Sequence, residues 1–294
     1  MSLEELTARD SGDFLMKTAR LSIFSALLLL SLSDALLSAA EREYPGTKGD
    51  WQGFDCYNFT FEDRAALVVV PKRVADGVPW VWRARFFGHE PQADLAMLDR
   101  GYHILWLDSA PLMGSSKSVE LWQRFYLYAT ETLGLCPRVH LEGLSRGGLY
   151  TVNWAIKYPN ETASIYIDNP VLDFKSWPGG FGKSAGSKGD WQDVLASYEL
   201  TEEEALAWPG NPTTNPQLEQ LAAAKVPILI VCGDSDTVVP FDENEKPFIA
   251  RYREFGGPIE VIIKPGNDHH PHSLPDPKPI VDFFLKAQEK VDAR

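Results

Sequence analysis

Cysteine is scarce in this chain of 294 residues, which contains only Cys56, Cys136 and Cys232. Three cysteines so widely separated do not form a disulfide framework or a cysteine-based zinc site. They allow at most one disulfide and leave at least one free thiol, and the sequence does not say which residues would pair.

Basic residues are also in deficit. Lys and Arg number 28 against 41 Asp and Glu, which gives a formal net charge of −13, and the basic residues form no stripe or cluster. Nucleic acid and anionic membrane surfaces are therefore poor partners for this chain. The acidic balance favours solubility but does not identify a substrate.

The apolar stretch at residues 21–32 is about a dozen residues long, short of the roughly 20 that a membrane-spanning helix needs. Lys17 and Arg20 lie at its start, and Ser38-Ala39-Ala40 supplies the small residues of a cleavage site. We interpret residues 16–40 as a signal peptide and residues 1–15 as a non-native or mis-started extension. Residues 41–294 then form the functional domain of a secreted or periplasmic protein without stable membrane insertion. The alternative is a buried or amphipathic N-terminal helix.

Apolar runs and helical patterns alternate after residue 60, which predicts an α/β fold with a mostly parallel central sheet and helices on both faces. Two early runs, at 61–71 and 80–87, are joined by a short turn and are expected to pair antiparallel at one edge. The predicted strands span residues 66–71, 80–87, 102–108, 138–144, 163–171, 226–234 and 259–266.

Residues 172–225 interrupt this alternation, because they separate two strands by far more than a crossover needs. The segment begins with the Gly-rich "DFKSWPGGFGKSAGSKGDW" and contains Trp177, Trp191 and Trp208. Long excursions of this kind are often lids or binding loops. We expect a small cap over the carboxyl edge of the sheet.

The segment "HLEGLSRGG" places Ser145 between a strand and a helix, with Gly143 and Gly147 two residues to either side. A sharp strand-to-helix turn brings these flanking positions against neighbouring backbone, so both require glycine. This is the G-x-S-x-G nucleophile elbow in the strand–turn–helix context that it needs. Ser145 is therefore the predicted nucleophile.

The acid partner of such an elbow follows a late strand. "PILIVCGDSDTVVP" supplies Asp234 and Asp236, either of which could instead be an ordinary turn residue. We favour Asp236, since it lies further into the turn and its carboxylate can reach back across the strand ends. Asp234 is the alternate.

The base should follow the last strand, where "KPGNDHHPHSL" supplies His269, His270 and His272, three of the six histidines. We assign His269 as the base, with His270 as the alternate and His272 in a supporting role. A metal site is the competing interpretation of "HHPH". We predict none, because the helical i, i+4 spacing and the carboxylate set of zinc hydrolases are missing.

From about residue 50 to the C-terminus the chain resembles the α/β-hydrolase superfamily, particularly secreted esterase-like or dienelactone-hydrolase-like hydrolases. "PWVWRARFFGHEP", "LEGLSRGGLYTVNWA", "IDNPVLDFKSWPGG" and "KPGNDHHPHSL" carry the resemblance. It implies an α/β-hydrolase fold without a cofactor, with the 172–225 cap between the sixth and seventh strands of that fold. One departure is Asp268, since related sequences more often have glycine before the base. Asp268 could be a decoy acid, or it could raise the pKa of the imidazole.

The implied mechanism needs an oxyanion hole. One donor should be the backbone N–H of Arg146, the residue after the nucleophile. The second should come from the loop after the 80–87 run, at Phe87 or Gly88. The Arg146 side chain could bind an anionic substrate group, or form an ordinary surface ion pair. His89 and Trp177 are the predicted substrate-binding side chains.

These features predict a serine hydrolase that forms an acyl-enzyme from a carboxylic ester. Export and the nine tryptophans favour a small-molecule or carbohydrate ester, such as acyl groups on a polysaccharide. One alternative is a serine peptidase of the prolyl-oligopeptidase type, which usually carries a large accessory domain. The other is a non-catalytic carbohydrate-binding pseudohydrolase.

Overall fold

A computed structural model describes residues 42–293, of which residues 44–293 form one compact unit. The predicted extension at 1–15 and the predicted signal peptide at 16–40 lie outside the described residues. No helix within residues 42–293 is long and apolar enough to cross a membrane.

Within the described part of the chain, nine strands form one sheet in the order β1-β2-β3-β5-β4-β6-β7-β8-β9. Their bounds are β1 Thr47–Trp51, β2 Phe54–Phe61, β3 Arg64–Val70, β4 Trp80–Ala84, β5 His103–Leu107, β6 Val139–Leu144, β7 Thr162–Asp168, β8 Ile228–Gly233 and β9 Ile259–Lys264.

Helices connect most of these strands. Their bounds are α1 Gln92–Leu98, α2 Ser116–Leu127, α3 Gly147–Lys157, α4 Lys188–Tyr198, α5 Glu202–Leu206, α6 Leu218–Ala223, α7 Glu245–Glu254 and α8 Lys278–Asp292. A π-helical turn, Tyr128–Thr132, extends α2.

The sheet is mostly parallel, as predicted. Strands β4 to β9 pair in parallel, while β1, β2 and β3 add an antiparallel edge. The expected pairing of the two early runs is wrong, because β5 lies between β3 and β4. The sequence analysis also missed β1, which is nearly all exposed, and β2, whose exposed and buried residues are mixed.

The central strands are apolar because helices cover both faces of the sheet. Every residue of β6, β7 and β8 is buried. On one face Trp82 of β4 stacks on Trp122 of α2, with ring centroids 4.0 Å apart. On the other, Met97 of α1 and Phe284 of α8 pack against the sheet. This double burial accounts for the near-continuous hydrophobic runs.

The segment 172–225, called the insertion below, lies between β7 and β8 and contains α4, α5 and α6. Phe174, Trp177 and Trp191 form its apolar core with Leu149 of α3 and Val239. The insertion therefore packs on the helix that follows Ser145 and on the loop that follows β8, at the carboxyl edge of the parallel strands.

All three cysteines are buried free thiols. Burial raises the pKa of Cys56, Cys136 and Cys232, which keeps these thiols protonated and unreactive.

Candidate active site

The elbow at Ser145 has the geometry that its glycines predict. Ser145 lies between β6 and α3 with φ of 51°, in the left-handed region. A Cβ at Gly143 would lie 2.7 Å from the carbonyl oxygen of Gly147, and one at Gly147 would lie 2.9 Å from that of Ala84. Larger residues would therefore force the backbone apart and move the serine.

Two backbone hydrogen bonds fix the elbow to the end of β7. The Ser145 N–H donates to the Asp168 carbonyl at 2.9 Å, and the Ser145 carbonyl accepts from the Val171 N–H at 2.9 Å. A left-handed residue persists when its surroundings hold it in this way, and such strain is typical of functional sites.

A chain of hydrogen bonds joins Ser145, His269 and Asp236. The Oγ of Ser145 lies 3.0 Å from Nε2 of His269, and Nδ1 of His269 lies 2.7 Å from Oδ2 of Asp236. With the proton on Nδ1 donated to the carboxylate, Nε2 is free to accept from the serine hydroxyl. His269 and Asp236 are both buried. A hydroxyl, an imidazole and an orienting carboxylate in this order can generate a nucleophile.

The two aspartates after β8 are clearly distinguished. The second oxygen of Asp236 accepts from the N–H groups of Val238 and Val239, so this carboxylate is fixed while facing His269. Asp234 is exposed and accepts from the Gly266 N–H at 2.7 Å. Asp234 therefore closes a turn, and Asp236 is the residue that reaches the imidazole.

Asp268 does not contact the imidazole ring of His269 through any hydrogen bond between described residues. Its carboxylate accepts from the N–H and hydroxyl of Thr237 and from the N–H of His269. These bonds lower the pKa of Asp268, led by the Thr237 N–H. Asp268 therefore ties the loop of His269 to the loop of Asp236, and the decoy-acid interpretation fits this arrangement.

Asn169 is a positioning residue that the sequence analysis missed. Its side-chain amide donates to the carbonyl of His269 at 2.7 Å and accepts from the Gly233 N–H at 2.7 Å. One side chain thus connects the histidine loop to the end of β8. The only signal was a polar residue directly after a buried strand.

His270 and His272 lie beside the catalytic candidate but do not bond Ser145. His270 is exposed, whereas His272 is buried with Nδ1 3.1 Å from Oδ1 of Asp168. Burial lowers the pKa of both imidazoles. His269, rather than the alternate His270, is therefore the histidine in contact with the nucleophile.

The side chain of Arg146 is bound to the insertion. Its guanidinium pairs with Asp190 of α4 and lies 5.1 Å from the ring centroid of Trp177 and 5.5 Å from that of Phe86. Of the two roles considered for this side chain, the structure shows the ion pair rather than a guanidinium free to bind an anionic substrate group, and the pair is partly buried. Trp177 is itself buried in the insertion core beneath this guanidinium. Its expected direct contact with substrate does not match this placement, since little of the ring is accessible.

The loop after β4 carries the other predicted site residues. β4 ends at Ala84, earlier than predicted, and Phe87, Gly88 and His89 follow in the loop. The Phe87 ring packs on Trp51 with centroids 4.8 Å apart, and His89 is exposed. Arg146 lies at the N-cap of α3, so its N–H belongs to the first amides of the helix, which have no acceptor within that helix.

A buried ion cluster includes Glu142, the residue directly before Gly143. Arg83 of β4 is fully buried and pairs through one nitrogen with Asp94 of α1 and, at 2.9 Å, with Glu142 of β6. Another nitrogen donates to the carbonyl of His89. Burial raises the pKa of both carboxyl groups, and that of Glu142 far above its ordinary value. The cluster links the loop after β4 to the strand that carries the nucleophile.

No protein-family model matches the chain. Similar solved structures include a Mycobacterium tuberculosis puromycin-hydrolyzing peptidase (15% identity, TM-score 0.56) and the Pyrococcus horikoshii acylaminoacyl peptidase (16% identity, TM-score 0.58). These cover 75% and 83% of this chain, which spans only 36% and 42% of theirs.

A third similar structure is matched over almost its entire length. It is a sugar hydrolase from Lactococcus lactis, with 17% identity and a TM-score of 0.54 over 81% of this chain and 99% of its own. These similarities, together with the mostly parallel sheet, the helices on both faces and the elbow after β6, show that the chain has the α/β-hydrolase fold.

Proposed function

We propose that this protein is a serine hydrolase that cleaves carboxylic esters through an acyl-enzyme. The observation that carries the proposal is the hydrogen-bond chain from Ser145 Oγ through His269 to Asp236, mounted on a left-handed elbow. The same three residues would have little reason to align in a purely structural role, since none of them joins the apolar core.

In the proposed mechanism His269 accepts the proton of Ser145 as Oγ attacks the acyl carbonyl. Asp236 keeps the proton on Nδ1 and stabilises the imidazolium. His269 then returns the proton to the leaving alcohol, and water enters to hydrolyse the acyl-enzyme by the same route in reverse.

Backbone amides are proposed to stabilise the oxyanion. The N–H of Arg146 is one donor, and Phe87 or Gly88 supplies the other. Removing one such donor typically costs about 3–4 kcal/mol of transition-state stabilisation. The ion cluster supports this proposal physically, because Arg83 holds the His89 carbonyl and so restrains the loop that carries the second amide.

For the substrate, we propose acyl groups on a carbohydrate, acted on outside the cytoplasm. The support is the aromatic insertion beside the site, the predicted signal peptide, and the sugar hydrolase among the similar structures. With Trp177 buried, the exposed ring of Phe181 and the imidazole of His89 are the proposed contacts.

The experiment is an ester panel of para-nitrophenyl esters of increasing chain length beside acetylated and feruloylated glycans. Wild type should turn over at least one class, and Ser145→Ala should not. An active Ser145→Ala protein would contradict the serine mechanism. Turnover of aryl esters with untouched glycans would contradict only the carbohydrate substrate.

A serine peptidase is the second candidate, since two of the similar structures are peptidases. Aminoacyl and peptidyl anilides distinguish it from an esterase. Amide cleavage as fast as ester cleavage would favour the peptidase, because amides are intrinsically the harder substrate. A fluorophosphonate probe that fails to label Ser145 would instead favour the non-catalytic alternative.

A further inference from the structure

Three imidazoles gather beside the candidate active site. His89 comes from the loop after β4, and His270 and His272 come from the loop after β9. One ligand nitrogen from each ring lies within 4.8 Å of the other two. The sequence analysis predicted no metal because it considered only the histidines at 269–272, and His89 lies too far along the chain for spacing to reveal it.

His272 is held as metal-binding histidines usually are. Its Nδ1 lies 3.1 Å from Oδ1 of Asp168, which leaves Nε2 as the free nitrogen. Metal-ligating histidines almost always donate their other ring N–H to a carboxylate or carbonyl, which fixes the ring and raises its basicity.

The carboxylate behind His272 is itself fixed. Asp168 is fully buried at the end of β7 and accepts from the Ser273 N–H at 2.8 Å and the Tyr166 hydroxyl at 3.0 Å. The ring of His272 is therefore a rigid point in the cluster.

The other two imidazoles are free to adjust. The rings of His89 and His270 are exposed and have no hydrogen-bond partner among residues 42–293. Tetrahedral zinc with Zn–N bonds of about 2.0–2.1 Å needs ligand nitrogens about 3.3 Å apart. The ligand nitrogens, now within 4.8 Å of one another, would have to draw closer, and His89 and His270 are the two exposed rings of the three.

We propose that His89, His270 and His272 form a three-histidine site for a divalent transition metal, with Zn²⁺ the best fit, and that its occupation suppresses Ser145. Three neutral imidazoles and one open position for water match the preference of zinc for nitrogen ligands. Metal binding is independent of the proposed function, whereas the suppression of Ser145 rests on it.

Suppression follows from the position of His269. Its ring centroid lies 5.0 Å from that of His270 and 4.9 Å from that of His272. An ion held by His270 and His272 would therefore lie beside the ring that contacts Ser145, and with its bound water it would crowd the approach to the serine Oγ. It would also engage His89, one of the proposed substrate contacts.

The binding test uses metal-stripped protein titrated with Co²⁺, followed by visible absorption of the four-coordinate ion, and with Zn²⁺, followed by calorimetry. Wild type should bind one ion. His89→Ala and His270→Ala should each weaken binding by more than about tenfold, since even outer partners of ligands typically contribute that much. Glu90→Gln, next to His89, is the matched control and should bind like wild type.

Both ligand variants change exposed side chains, so neither should prevent folding, and melting temperatures verify this. Zn²⁺ should raise the melting temperature of wild type but not of the variants, because a ligand that binds only the folded state stabilises it. Absence of binding, or equal binding by wild type and both variants, would overturn the site.

The suppression test measures the rate at which a fluorophosphonate labels Ser145, with and without Zn²⁺. Labelling should slow in wild type and in Glu90→Gln, and much less in His89→Ala and His270→Ala, each compared with its own rate without metal. Metal binding that leaves wild-type labelling unchanged would overturn the suppression. If the unmetallated protein did not label at all, the proposed function would fail, while the binding test would still stand.

Discussion

Two sets of polar groups lie close together at β6 and serve different ends: Glu142 of β6 belongs to one, and Ser145, three residues later and just after the strand, belongs to the other. The first is the chain Ser145–His269–Asp236 at the carboxyl edge of the sheet. The second is the cluster of Arg83, Asp94 and Glu142. Ser145 keeps about 9% of its surface accessible, whereas Arg83 and Asp94 keep none.

The two sets differ in what their burial achieves. In the chain Ser145–His269–Asp236, each side chain directs a donor or acceptor atom at the next one, so a proton can pass between them. In the cluster, the charges are sealed and hold β4, β6, α1 and the His89 carbonyl together. Substitutions in the active-site chain should therefore remove activity but change the free energy of unfolding little. Substitutions in the ion cluster should lower the free energy of unfolding more than they lower activity.

The largest expected effect is on the base. His269→Ala should reduce kcat by about a millionfold, because in enzymes with this mechanism removing the base costs about as much as removing the nucleophile. The free energy of unfolding, measured by urea denaturation, should fall much less than it does in the cluster variants. A cleavage rate within tenfold of wild type would mean that another group takes the proton.

The acid is expected to matter next. Asp236→Asn should lower kcat by about 10⁴-fold, because the amide favours the wrong imidazole tautomer. Asp234→Asn, two positions away, is the matched control and should retain near-wild-type kcat. Comparable losses in the two variants would contradict the division of roles between these aspartates.

The sequence predicted these residues because their requirements are local. The glycines beside Ser145 are needed for steric reasons, and the whole motif spans only the five residues 143–147. Asp236 and His269 each follow a strand that is recognisable in the sequence as a hydrophobic run. The ion cluster has no such signal. Its three members lie on β4, α1 and β6, and Arg83 stands within a tryptophan-rich strand where a charge would not be expected.

The failures in the sheet have a similar cause. β2 alternates incompletely and β1 is nearly all exposed, so neither produces an apolar run. Strands β3 and β4 are neighbours in the chain but not in the sheet, since β5 inserts between them. Pairing depends on the whole crossover arrangement, which local patterns do not contain. The same is true of His89, which meets His270 and His272 only in the folded chain.

In the cluster, loss of Arg83 should have the greatest effect on stability. Arg83→Met keeps the length of the side chain but leaves two carboxyl groups buried with no positive partner. Breaking a buried ion pair in this way typically costs about 3–5 kcal/mol. Urea denaturation should detect this loss, and Arg124→Met, which removes an exposed pair with Glu62, should cost less than about 1 kcal/mol. Equal losses would remove the distinction between the cluster and an ordinary surface pair.

The smallest expected effect concerns the proton shared within the cluster. One guanidinium faces two carboxyl groups, and burial raises the pKa of Glu142 far above 4.5. The folded protein therefore retains a proton that the unfolded chain releases, so the free energy of unfolding should decline as the pH rises above the ordinary range of a glutamate.

Glu142→Gln carries no titrating proton and should flatten this decline. The measurement is urea denaturation at a series of pH values from 5 to 9, with exposed Glu203→Gln on α5 as the matched control. A slope unchanged in Glu142→Gln would mean that Glu142 is ionised in the folded protein. The cluster would then hold a net negative charge in its sealed interior, and the active-site chain would be the only one of the two sets organised around a movable proton.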